Sequence, residues 1–345
     1  MAGLRWCMRL PVPLLPLVLT GLLLSSAARA ATPFQSADLA RAAAYSQAHR
    51  GDAVLVWQDG REVFAQAQNG FALNAPHVLA SGSKTFGCLL AVALQDAGTL
   101  RLDERAADTL TEWRGDARGD ITVRQLLNFT GGLPGNVGSP IPTLNRDLSG
   151  AALAAAPTAP AGQAFHYGNA HLAAFAELVR RRTGQEPEVA LQARVLDALD
   201  VHPVWARDRA GHADLAGGAR LNAREWVRVG QLLLQGGTWQ GRSLLSAAGL
   251  GECRRGSAAL SVYGLTLWLN VPTNGTLDRG DTVPVAALNL KGDQLMPSQP
   301  TDVIMAAGAA NQRLYVLPDR NVVIVRFGRG GDWSDDEFLR LLTGQ

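Results

Sequence analysis

Lysine is almost missing from this chain: of its 32 lysines and arginines, only Lys84 and Lys291 are lysine. Cysteine is nearly as rare, with three residues, Cys7, Cys88 and Cys253. They form no C-x-x-C pair, and no clustered His/Cys/Asp spacing accompanies them, which removes support for a zinc or other metal site. The net charge of +2 is small, and no basic run interleaved with aromatics occurs. Nucleic acid and charged membrane surfaces are therefore not indicated as partners. No serine sits in G-x-S-x-G, which excludes an α/β-hydrolase nucleophile elbow. The glycine-rich stretches match neither a phosphate-cradling loop nor a dinucleotide fingerprint, so no cofactor is expected. What remains is ordinary globular material, 47% hydrophobic and 18% charged, with no compositional sign of disorder.

The first thirty residues read as an export signal. Arg5 and Arg9 precede an apolar run, Leu10 to Leu24, broken by Pro11, Pro13 and Pro16. Ala28-Arg29-Ala30 then closes it as a small-residue cleavage site. The run is too short and too proline-broken to span a membrane comfortably. A periplasmic or secreted mature protein of residues 31–345, not stably inserted in a membrane, is expected. Export would allow Cys88 and Cys253 to pair. Cys88 falls inside an apolar helical pattern, however, where a buried free thiol is the commoner outcome, so no disulfide is expected.

Strand signals gather at the two ends of the mature chain. Ala53–Trp57 and Glu62–Ala65 flank Asp59-Gly60, a hairpin dipeptide. Arg313–Val316 and Asn321–Phe327 flank Pro318-Asp319-Arg320, and Tyr263–Val271 alternates as a further strand. Helical spacing appears at Asp38–His49, Leu89–Ala97, Thr122–Leu127, His171–Arg182, Val189–Leu199 and Ala223–Leu234. Gly98, Gly184 and Gly236 sit at helix-stop positions. Asn274–Pro300 reads as a long surface loop. The pattern predicts an α+β fold: one antiparallel sheet from about 31–80 and 258–345, flanked by helices, with an inserted all-α subdomain over about 81–257.

One of the two lysines follows a serine by three residues, in Ser81-Gly82-Ser83-Lys84. Apolar residues at 86, 89, 90, 93, 94 and 97 continue the segment as an amphipathic helix. A helix starting near Ser81 would place Ser81 and Lys84 on one face, beside the unpaired N–H groups of the helix tip. A serine hydroxyl needs a proton acceptor to become a nucleophile. A lysine whose pKa is lowered by burial can be one; an arginine cannot. Taken alone, S-x-x-K fits equally a capping serine followed by a solvated lysine, and that reading is the commoner one.

The surrounding text decides otherwise. Leu79 to Phe86 closely resembles the first motif of class C β-lactamases and related esterases. Ile121 to Leu127, leading into Thr130-Gly131-Gly132-Leu133-Pro134-Gly135, resembles the segment before that family's active-site loop. Tyr167-Gly168-Asn169 matches its Y-x-N motif. Ala223 to Trp226 with Gly236 to Gly241 resembles a helix and turn of the esterase-like branch. The motifs recur in family order over most of the mature chain. The resemblance implies a β-lactamase/transpeptidase-like fold and acyl transfer by Ser81 with Lys84. It further implies that Tyr167 relays the proton to the leaving group, while Asn169 holds Lys84 or a substrate carbonyl.

At the third family motif the chain departs. K-T-G or H-x-G is implied, yet the segment reads Met305-Ala306-Ala307-Gly308-Ala309. Position 306 lacks the cation or imidazole that meets a substrate carboxylate. Gly308 is retained, and the Ala309 N–H is implied to join that of Ser81 in an oxyanion hole. Lys291-Gly292 is a rival, set aside because a loop-like stretch separates it from the terminal hairpin. The sequence thus points to an ester or amide hydrolase, similar to the 6-aminohexanoate-dimer hydrolases, acting on a small-molecule or peptide-like substrate. Two alternatives stay open: a β-lactamase or D-Ala-D-Ala carboxypeptidase using a cation such as Arg313, and a non-catalytic binding or sensor protein on the same scaffold.

Overall fold

Asp59 and Gly60 both take positive φ, 48° and 85°, the backbone of a primed hairpin turn whose twist suits the strands it joins. The computed structural model describes residues 1–3, 33–275 and 293–344. The strands in chain order are β1 (Gly51–Gln58), β2 (Arg61–Ala67), β3 (His77–Val78), β4 (Val204–Trp205), β5 (Ala219–Leu221), β6 (Thr238–Trp239), β7 (Arg242–Ser243), β8 (Trp268–Leu269), β9 (Ile304–Gly308), β10 (Gln312–Leu317) and β11 (Val322–Gly328). The main sheet runs β2-β1-β11-β10-β9-β8 and is antiparallel throughout. Leu55 of β1 stands opposite Val325 of β11, so the two chain ends are stitched together at the sheet centre.

The helices are α1 (Ser36–Ala48), α2 (Thr85–Asp96), α3 (Val123–Leu127), α4 (Leu148–Ala154), α5 (Ala170–Thr183), α6 (Pro187–Leu191), α7 (Asp197–Leu199), α8 (Ala223–Leu234), α9 (Ala247–Cys253) and α10 (Asp335–Thr343). Every residue of β11 is buried, because both faces of the sheet are covered. Phe327 stacks on Trp226 of α8, with ring centroids 5.7 Å apart. The next residue inward, Arg326, points the opposite way and donates to the His49 carbonyl at the end of α1 (2.7 Å). Strand alternation therefore sets α8 on one face and α1 on the other. Reciprocal capping boxes start α3 (Thr122 with Gln125) and α8 (Asn222 with Glu225), and Gly184 ends α5 at φ 68°.

Several expectations are corrected. Cys88 on α2 and Cys253 at the end of α9 form a disulfide, with Cα atoms 6.0 Å apart. The apolar pattern around Cys88 reflects the packing of α2 against α9, and that packing brings the second cysteine to the first. Tyr263–Val271 is not one strand: only Trp268–Leu269 pairs with β9. Thr266 at φ 60° turns the chain, and its N–H bonds the Leu127 carbonyl (3.0 Å). The inserted part is not all-α, since β3, β5 and β4 form a small sheet and β6 and β7 a hairpin within it or at its border. Val189–Leu199 is likewise not one regular helix: α6 passes through a π-helical turn at Gln192–Leu196 before α7. Part of the Asn274–Pro300 stretch lies outside the described residues. Its end is anchored rather than free, because the Asn270 side chain donates to the Met296, Gln299 and Pro300 carbonyls.

Candidate active site

The chain enters α2 through a tight 3-10 turn, Ala80–Lys84, so Ser81 lies one turn ahead of the α-helix proper. Ala80 holds φ 47°, a left-handed conformation unfavourable for a residue with a Cβ. Neighbouring bonds fix it there. The Ser83 hydroxyl donates to the Ala80 carbonyl (2.7 Å) and accepts from the Ala219 N–H of β5 (3.0 Å). The Leu79 N–H bonds the Ala219 carbonyl (2.9 Å). Gly82 lies on the buried Trp226 ring, where a Cβ would stand 2.8 Å from a ring carbon. Ser83 and Trp226 therefore shape the turn, a role their sequence context did not show.

Ser81 is half-buried and Lys84 only 4% exposed. The Lys84 amine donates to Ser81 Oγ (3.1 Å) and to the Ala216 carbonyl (2.8 Å). It lies 4.8 Å from the centroid of the Tyr167 ring. Burial pushes the Lys84 pKa down from its ordinary value to about 8, a fall that the Asp214 carboxylate opposes. Tyr167 is buried among Phe129, Tyr263 and Trp268, whose ring centroids lie 5.7, 5.9 and 5.5 Å away. Burial pushes its phenol well above the usual tyrosine range, with the Ser81 hydroxyl acting in the other direction. The phenol thus stays protonated at neutral pH. Ser81 and Lys84, expected from one motif, and Tyr167, expected from another, come together.

Strand β9 runs along this turn, and Gly308 makes its closest approach. A Cβ at 308 would stand 2.0 Å from the Leu79 carbonyl oxygen and 3.0 Å from the Gly82 nitrogen, so only glycine fits. Ala309 follows, exposed, at the start of the turn Ala309–Asn311. Ala306 and Ala307 are buried in β9 and bring no charge.

Asn169 and Arg313 make bonds that their implied roles did not include. Among the described residues no hydrogen bond joins Lys84 to Asn169. Its amide donates to the Val137 carbonyl (3.1 Å) and accepts from the Val137 N–H (2.9 Å), pinning the loop before α4. Lys84 finds its second partner at Ala216 instead. Arg313 is not a cation open to substrate. It is buried on β10, paired with Asp335 (2.7 and 3.2 Å), and donates to the Gly308 carbonyl (3.1 Å). Trp333 and Tyr315 also donate to Asp335, so the cluster braces the end of β9. Lys291 and Gly292 lie outside the described residues. Among the described residues, no group of three or more His, Cys, Asp or Glu side chains is placed to hold a metal ion.

The sequence profile of the beta-lactamase family matches residues 36–342. No curated relative matches the sequence. Among solved structures, a penicillin-binding protein homologue from Caulobacter crescentus is similar at TM-score 0.67 and 17% identity, over 90% of this chain and 97% of that one. A D-stereospecific amidohydrolase from Streptomyces sp. is similar at TM-score 0.64 and 18% identity, over 91% and 100%. A beta-lactamase from Mycobacterium bovis is similar at TM-score 0.59 and 18% identity, over 86% and 92%. At these identities the likeness is one of fold.

Proposed function

Because the chain belongs to the beta-lactamase family, we propose that it is an exported serine hydrolase that cleaves an ester or amide through an acyl-enzyme on Ser81. The observation that carries this reading is the 3.1 Å contact between the Lys84 amine and Ser81 Oγ, made by a buried lysine with a pKa of about 8. Near neutral pH a useful fraction of that amine is unprotonated and already within proton-transfer distance.

Neutral Lys84 takes the hydroxyl proton as Ser81 Oγ attacks the substrate carbonyl. The oxyanion is held by the backbone N–H groups of Ser81 and Ala309, across the close approach that Gly308 permits. Tyr167, protonated and beside both groups, hands its proton to the leaving oxygen or nitrogen and recovers one from the Lys84 ammonium. Water then attacks the acyl-enzyme, and the same groups return the proton to Ser81.

The substrate is a small molecule or short peptide-like compound with no carboxylate beside the scissile bond. Ala306 stands where a carboxylate-binding side chain would be required, and Arg313 is committed to Asp335. Export is supported by the signal-like N-terminus and by the Cys88–Cys253 disulfide, a bond that persists in oxidising compartments. Turnover of a p-nitrophenyl ester, nitrocefin and a D-Ala-D-Ala peptide tests the substrate class. Ester hydrolysis with neither of the others supports the reading; turnover of nitrocefin or the peptide at comparable kcat/KM contradicts it.

A further inference from the structure

We propose that Asp214 is the positioning residue of Lys84: its carboxylate fastens the loop whose Ala216 carbonyl holds the lysine amine, and its charge faces that amine inside the site. The assignment rests on Lys84 being the proton acceptor of the reading above.

Asp214 lies in Asp214-Leu215-Ala216-Gly217-Gly218, the approach to β5. It is 8% exposed. Its Oδ1 accepts the Ala216 N–H (2.8 Å), and the Gly217 N–H also stabilises the carboxylate. At the base of the loop the Gly218 N–H bonds the Asp214 carbonyl (2.8 Å), and the Asp214 N–H bonds the Ala206 carbonyl (3.0 Å). The Ala216 peptide is thus held from its N–H side while its carbonyl side receives Lys84 (2.8 Å). The amine reaches this acceptor across 132 residues of sequence. Without it, the amine would keep only its hydrogen bond to Ser81 of the two described, and its position would be less defined.

The surrounding charges leave Asp214 to act on Lys84. Asp208 beside it has the same sign and is engaged with the Leu148, Ala210 and His212 N–H groups. His212 is turned to Glu186 (3.2 Å). The protonated phenol of Tyr167 also lies beside Lys84, and Arg313, whose charge acts on that phenol, is paired with Asp335. Burial disfavours charge on both Lys84 and Asp214, and each opposes that effect in the other. When Lys84 accepts the Ser81 proton, the new ammonium forms facing a carboxylate that does not itself take the proton, the division of labour seen when an aspartate steadies a histidine base.

Since the chain has only two lysines, the effect is directly readable. In ¹³C-lysine-labelled protein carrying Lys291→Arg, Lys84 gives a lone lysine side-chain NMR signal whose titration is followed in Asp214 and Asp214→Asn forms. Asparagine retains the Oδ1 acceptor but lacks the charge, so Lys84 is expected to titrate at lower pH. The acidic limb of Ser81 labelling by a fluorophosphonate should move with it, while the rate plateau falls only about threefold or less. Asp214→Ala also removes the acceptor and should drop the plateau about tenfold or more. An unmoved Lys84 titration in folded Asp214→Asn overturns the proposal, even if Ser81 labels normally. A moved titration with Ser81 unreactive supports Asp214 and contradicts the hydrolase reading instead. Asp214→Asn decides alone if the alanine variant does not fold.

Discussion

The Gly308 Cα and the Leu79 carbonyl are packed so tightly that a methyl group on the glycine would lie 2.0 Å from the carbonyl oxygen. This contact joins β9 to the turn that carries Ser81 and fixes the spacing between the two N–H groups assigned to the oxyanion. Gly308→Ala must push the strand and the turn apart, because the obstacle is backbone rather than a flexible side chain. We expect a loss of about 1–3 kcal/mol in stability and a fall of 100-fold or more in Ser81 labelling rate. Chemical denaturation and fluorophosphonate kinetics measure the two. Wild-type labelling by this variant would remove Gly308 from the site.

Lys84 should cost the fold stability at the pH where it works. Its folded pKa, about 8, lies below the ordinary lysine value of 10.5, so the folded state resists protonation. The penalty is absent above 10.5, grows as pH falls towards 8, and is full below that. Lys84→Met should therefore stabilise the protein at pH 7 by about 1–3 kcal/mol, the upper figure reduced by the hydrogen bonds given up. The gain should vanish between pH 8 and 10.5. Acylation should be lost. Urea melts at pH 7 and pH 10 settle the sign.

The same group sets the rate profile. If neutral Lys84 receives the proton, Ser81 labelling rises about tenfold per pH unit below 8 and levels off above it. Tyr167 stays protonated across this range, so it introduces no second limb there. A rate that is flat from pH 6 to 8 assigns the proton to some other acceptor.

The disulfide closes a separation of 165 residues, and a covalent link over so long a loop is worth about 2–5 kcal/mol. Reductant, or Cys88→Ala with Cys253→Ala, should lower the melting temperature by about 5 °C or more. Intact mass under non-reducing conditions should be two hydrogen atoms lighter than after reduction. Identical melting with and without reductant would show that the thiols are not paired.

How much of this was legible in the sequence follows from distance along the chain. Ser81 and Lys84 sit one turn apart, so their contact needed only local geometry, and the Asp59-Gly60 hairpin was readable for the same reason. Tyr167 and Gly308 were found only because their motifs occur in family order. Nothing local marks Ala216 or Asp214, whose roles arise from a loop brought back across 132 residues, nor the partner of Cys88 on α9. The bond of Asn169 to the Val137 backbone was not legible, because an amide suits a lysine, a substrate carbonyl or a peptide group alike, and here the Val137 backbone offers both a donor and an acceptor.

Intact-mass analysis of the protein after exposure to a fluorophosphonate, followed by peptide mapping, reaches the central claim most directly. One adduct per chain, located on Ser81 and abolished by Ser81→Ala and by Lys84→Met, is the predicted result. A folded wild-type protein that takes up no label, or takes it at another serine, would contradict it.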